Sequence, residues 1–234
     1  MKMKLISVIF SLLCCICATA ADPGLTATRA DRAFGFGEWA QAEALYELVL
    51  HERPDSAPVY ARAIVAASLQ PDTLRAVELL ERAMAHGVAL DSVTSGVRRA
   101  AMSCGHTAVY ADFLKRTRRQ MPYMARAIDA RLLDYYEFRN DGPQIVRLAT
   151  EMLRGLPDSA RYLSALARGL TLCGDSDGAE TAWRRVLDVD PDNVEALRAL
   201  GLMLRAAGRA AEAHPLLERA QALSPSPYLE KLLK

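Results

Sequence analysis

The residues best suited to chemistry in this chain are few and scattered. The four histidines, His51, His86, His106 and His214, include no pair at i, i+4 spacing, so no helix offers a metal clip. Ser103-Cys104-Gly105-His106 places a thiol two residues from an imidazole, the raw material of a nucleophile–base pair. It lacks a third orienting group, and Gly105 there reads as a turn. Asp188, Asp190 and Asp192 alternate like a calcium loop, but the glycine and distal glutamate of an EF-hand are missing. Asp175-Ser176-Asp177-Gly178 reads as a helix entrance, since Asp and Ser satisfy free N–H groups. There is no glycine-rich phosphate loop. No catalytic residues, metal site, cofactor or small-molecule substrate are therefore expected, and the chain reads as a non-enzyme.

The elements that must position any site announce themselves through proline. Pro54, Pro122, Pro157, Pro191 and Pro225 are separated by 68, 35, 34 and 34 residues, and 68 is twice 34. Proline cannot continue a helix, so a periodic proline marks where a repeating helical unit ends. With Pro191 as position 32, six units follow: 23–56, 57–90, 91–124, 126–159, 160–193 and 194–227, with Ala125 inserted. Position 15 reads Gly37, Pro71, Gly105, Asn140, Gly174 and Gly208, all turn formers. Position 20 reads Ala42, Ala76, Tyr110, Ile145, Ala179 and Ala213, mostly small, so a second helix can lie close to its neighbour. Pro215 alone falls inside a predicted helix, where a late start or a kink is expected.

Those columns resemble the tetratricopeptide repeat (TPR) family. The fifth unit matches through Leu163, Leu166, Ala167, Leu170, Gly174, Ala179, Trp183 and Pro191. The sixth matches through Leu197, Leu200, Gly201, Leu204, Gly208, Ala213, Leu217, Ala220 and Pro225. The third and fourth units are degenerate: Arg98 and Asp129 replace small or apolar residues, and Thr94, Ser95 and Gly96 weaken the third unit's first helix. The resemblance implies an all-α, right-handed superhelical solenoid of antiparallel helix pairs, about six repeats over residues 21–227. Residues 228–234 would form a capping segment.

The resemblance also implies a concave groove lined by positions 2, 5, 9 and 12 of each first helix. Carried over by position, Arg161 and Arg168, Arg198 and Arg205, with Arg99 of the third unit, form a candidate peptide-binding stripe. Ser164, Thr171, Glu195, Leu202 and Met102 stand beside them, and Asp134, Glu137 and Phe138 turn the middle acidic and aromatic. Such a stripe favours a protein or peptide partner, acidic in character. The lysine and asparagine clamp with which the family binds chaperones is absent.

Residues 1–20 are of another kind. Lys2 and Lys4 precede a mostly apolar run from Leu5 to Cys17 and then Ala18-Thr19-Ala20, the pattern of a cleaved signal peptide. Thirteen residues at about 1.5 Å each fall short of a bilayer core of about 30 Å. No membrane span is expected after cleavage, and export to a bacterial periplasm or envelope follows. The alternative is a lipid-tethered accessory or regulatory subunit of an envelope enzyme or transporter. Removing the two lysines leaves 27 basic residues against 28 acidic ones, net −1, which argues against nucleic-acid binding. Of five cysteines, Cys104 and Cys173 lie outside the leader, two units apart, and are expected to remain unpaired with each other.

Overall fold

The computed structural model describes residues 23–71 and 74–233; the leader lies outside the described residues. Among them are thirteen α-helices, one short 3₁₀ turn and no strand. The chain divides into two compact units, one ending at Gln120 and one beginning at Met121. The division falls beside the 3₁₀ turn Pro122–Met124, where Ala125 interrupts the 34-residue period.

The first unit holds α1 (Pro23–Gly35), α2 (Trp39–Glu52), α3 (Ala57–Ser68), α4 (Arg75–Ala85), α5 (Leu90–Ser103) and α6 (Ala108–Gln120). Consecutive helices pack together, and α3 also packs against α5, its counterpart one repeat on. Tyr46, Tyr60, Ile64, Leu79, Leu80, Phe113 and Leu114 are its largest fully buried side chains. The third repeat's first helix runs unbroken through Thr94, Ser95 and Gly96, against the expectation of weakness. Thr94 Oγ1 donates back to the Leu90 carbonyl at 2.8 Å, within the helix. Gly96 is required by packing, because a Cβ there would sit 2.7 Å from Ala61 Cβ on α3.

The second unit holds α7 (Ala125–Arg139), α8 (Gly142–Leu153), α9 (Ala160–Cys173), α10 (Ser176–Val189), α11 (Val194–Ala206), α12 (Ala210–Leu223) and α13 (Pro227–Leu233). Each of α8 to α12 packs chiefly on its chain neighbours. The core of the last two repeats is Leu163, Ala167, Trp183, Val186, Leu197, Leu200, Leu204, Ala213, Leu217 and Ala220, closed at the end by Leu229 of α13. Helix α12 starts at Ala210 and runs through Pro215, so the late start anticipated there does not occur.

The turn column behaves as its residue types require. At Gly174 the backbone reaches φ 78° and at Asn140 φ 51°, the left-handed region that closes a helix. The next N–H then reaches back five residues: Asp175 donates to the Leu170 carbonyl at 3.0 Å, and Asp141 to that of Tyr136 at 3.0 Å. The helices that follow these two turns are capped by side chains, as Asp175 accepts from the Gly178 N–H at 2.9 Å and Asp141 from that of Gln144 at 3.3 Å. In the second repeat Val88 replaces the periodic proline, and Gly87 at φ 78° terminates α4 instead.

Position 20 is buried in every repeat, but the large residue at the fourth is accommodated from outside. Ile145 of α8 faces Gly169 of α9, whose hypothetical Cβ would lie 2.9 Å from Ile145 Cγ2. The equivalent pair one repeat later is Ala179 and Met203, with large and small exchanged.

Candidate functional site

Consecutive first helices of the second unit carry charges that meet across repeats. Asp134 and Glu137 lie late on α7, Arg161 and Arg168 on α9, and Glu195 and Arg198 early on α11. Arg161 bonds Asp134 at 2.7 Å and also grips Glu137. Arg168 bridges Glu137 and Glu195, the latter at 2.7 Å. Burial pushes the Glu137 carboxyl up, but the Arg161 and Arg168 guanidiniums outweigh it and hold it below the usual carboxylate range. The Arg161 guanidinium is pushed up from its ordinary value, first by its bond to Glu137 and against the effect of burial.

Arg161 and Arg168 are therefore already paired with carboxylates of the neighbouring repeats. Arg205 is used elsewhere: its Nη1 donates to the Leu232 carbonyl at 2.6 Å, tying α13 to α11. Arg198 is exposed and has no hydrogen-bond or ion-pair partner among the described residues. Arg99 belongs to the first unit, where it lines a shallow depression of about 270 Å³ with Pro58, Ala61, Arg62 and Gly96.

Beside the charge ladder lies a groove of about 650 Å³. Arg168, Thr171, Glu195, Arg198 and Leu202 all line it, so five residues carried over by repeat position share one surface. Its floor is apolar: Leu172, Ala199 and Met203, with Trp183 at the bottom. Leu172 is 49% exposed, whereas Trp183 is 2% exposed and belongs to the core beneath. Leu172, Ala199 and Met203 fall outside positions 2, 5, 9 and 12, and sequence reasoning missed them. The signal available was an apolar residue next to each groove position, which looks like core until the packing shows it uncovered. A smaller depression of about 390 Å³ adjoins, lined by Glu137, Arg161, Ser164, Arg168 and Glu195.

The residues of the other candidate chemistries make contacts of their own. Ser103 Oγ donates to the Ala100 carbonyl at 2.8 Å and Cys104 Sγ to that of Ala101 at 3.5 Å. His106 meets Trp39 edge-on, with centroids 5.6 Å apart. Asp192 pairs with Arg219 at 2.7 Å and Asp190 accepts from Asn193 Nδ2 at 3.0 Å. No His, Cys, Asp and Glu cluster able to hold a metal occurs among the described residues. Cys104 and Cys173 are free thiols. No helix among the described residues is long and apolar enough to cross a membrane.

Comparison with known proteins finds likenesses to these helix pairs. Residues 174–226 match the family model described as Tetratricopeptide repeat. The protein CTR9 homolog of Arabidopsis thaliana is 42% identical over 64 residues, 26% of this chain and 5% of that protein. The chain thus spans a small fraction of that relative's length. Among solved structures, MamA (AMB-1) is 20% identical over 70% of this chain and 96% of its own, with TM-score 0.49. The C-terminal part of a TPR repeat-containing protein from Cytophaga hutchinsonii is 13% identical over 84% and 78%, with TM-score 0.49. The TPR2AB domain of yeast Sti1, solved in a pHSP90 complex, is 18% identical over 90% and 96%, with TM-score 0.41.

Proposed function

We propose that this chain, which carries tetratricopeptide repeats, is an exported, non-catalytic scaffold that holds a protein partner along the first helices of its repeats. The observation that carries the reading is the uncovered apolar groove over α9 and α11. Leucine and methionine side chains removed from water contribute about 1.5–3 kcal/mol each, so leaving Leu172, Leu202 and Met203 accessible is a standing cost that a partner would relieve. Export rests on the basic start, the apolar run from Leu5 to Cys17 and the small residues at 18–20. The periplasm or envelope is the proposed location, with the mature chain starting at Ala21.

Two measurements test the reading. Intact mass of the protein recovered from the envelope fraction should match a chain beginning at Ala21; retention of residues 1–20 or an added lipid mass counts against cleaved export. Affinity capture from the same fraction should recover a partner with the parent chain and lose it with Leu202→Arg of equal thermal stability. Equal recovery by both proteins removes the groove from the function.

A further inference from the structure

Building on the proposed scaffold role, we infer that the α9–α11 groove takes an internal peptide segment bearing an apolar side chain close to a single Asp or Glu, whose carboxylate pairs with Arg198. The charges select this ligand over a polyacidic one. The groove's charged lining is Arg168, Glu195 and Arg198, a net of +1, which one carboxylate neutralises. Arg168 is spent on Glu137 and Glu195, and Arg161 on Asp134 and Glu137. A run of acids entering here meets the three carboxylates of Asp134, Glu137 and Glu195 and only one free guanidinium.

That guanidinium presents five donors in a planar fork, matched to a carboxylate in two parallel bonds. Arg198 stands one helical turn from Leu202 on α11, and Leu172 faces the same groove from the end of α9. A ligand's acid at Arg198 therefore brings its neighbouring side chain over Leu172, Leu202 and Met203. The volume of about 650 Å³ lies within the range of clefts that enclose a compact ligand, so a few residues engage it and not a long tract. A side-chain carboxylate fits better than a chain terminus. Terminal carboxylates are held by nests of several adjacent free backbone N–H groups, whereas here only Ser176 and Glu195 lie in first turns, on separate helices, and the other lining residues of α9, α10 and α11 lie within helices.

The test is selection of random dodecamers, displayed as internal segments on phage, on the full chain and in parallel on Arg198→Ala, Leu202→Arg and Leu172→Arg. Leu172→Arg, at a half-exposed position, keeps the test valid if Leu202→Arg fails to fold. Recovered sequences should share an apolar residue within three or four positions of one acid. In fluorescence anisotropy, changing that acid to Gln should weaken binding roughly tenfold to the parent chain and not at all to Arg198→Ala. Recovery of polyacidic sequences without apolar residues overturns the inference. So does a tenfold acid-to-Gln effect that survives Arg198→Ala, or tighter binding by a peptide whose sole acid is its C-terminal carboxylate. Binding that depends on Leu172 or Leu202 but not on Arg198 overturns the inference and leaves the scaffold reading standing. Absence of any enrichment, or enrichment equal on the parent and both leucine variants, overturns both.

Discussion

Gly169→Ala tests whether repeat stacking here depends on complementary sizes across the α8–α9 joint. The added Cβ would lie 2.9 Å from Ile145 Cγ2, 3.0 Å from Val146 Cγ2 and 3.1 Å from Ile145 Cβ. Carbon atoms rest at about 3.5–4.0 Å, so the helices must part by roughly half an ångström or more. Overpacking of this kind costs about 1–3 kcal/mol. Alanine in place of a helix glycine returns about 1 kcal/mol. The net expectation is destabilisation by about 1 kcal/mol. Ile145→Ala alone, which empties a fully buried site, should cost about 2–5 kcal/mol. In that background the contact with Ile145 Cγ2 is gone, while those with Val146 Cγ2 and the Cβ of residue 145 remain, so Gly169→Ala should cost less than in the parent, by roughly 1 kcal/mol. Urea unfolding of the four proteins, followed by far-UV circular dichroism, closes the cycle. The reasoning fails if Gly169→Ala costs as much in the Ile145→Ala background as in the parent.

Two further outcomes follow from named contacts. Because the folded Glu137 carboxyl is held below its usual range, its contribution to stability is complete above that range and is lost as pH falls through the folded value. The urea midpoint of Glu137→Gln should therefore lie below the parent's near neutral pH, with the gap closing as pH drops below roughly 4; a gap independent of pH contradicts this. Arg205→Ala removes the donor to Leu232, so amide exchange in α13 should accelerate while α9 to α12 keep their protection. Unchanged exchange in α13 would show that Leu229 alone holds the terminal helix.

Much of the fold is legible in the sequence because its determinants act within one repeat. A periodic proline ends a helix wherever it falls, a glycine at position 15 permits the left-handed turn, and Asp175 or Asn193 caps the helix it precedes. The groove positions came from the family resemblance, and five of the residues it names, Arg168, Thr171, Glu195, Arg198 and Leu202, line one groove. Which of those charges remains available was not legible. Arg161 meets Glu137 24 residues away, and Arg168 meets Glu137 and Glu195 at separations of 31 and 27. Arg205 meets Leu232 across 27. A guanidinium's partner depends on how adjacent repeats stack, and Ile145 against Gly169 shows that this stacking is set jointly by two helices. The sequence by itself determined the repeat, its turns and its caps. Only the tertiary structure decided that Arg198 has no partner among the described residues, because ion pairing is a property of side chains brought together and not of a position along the chain.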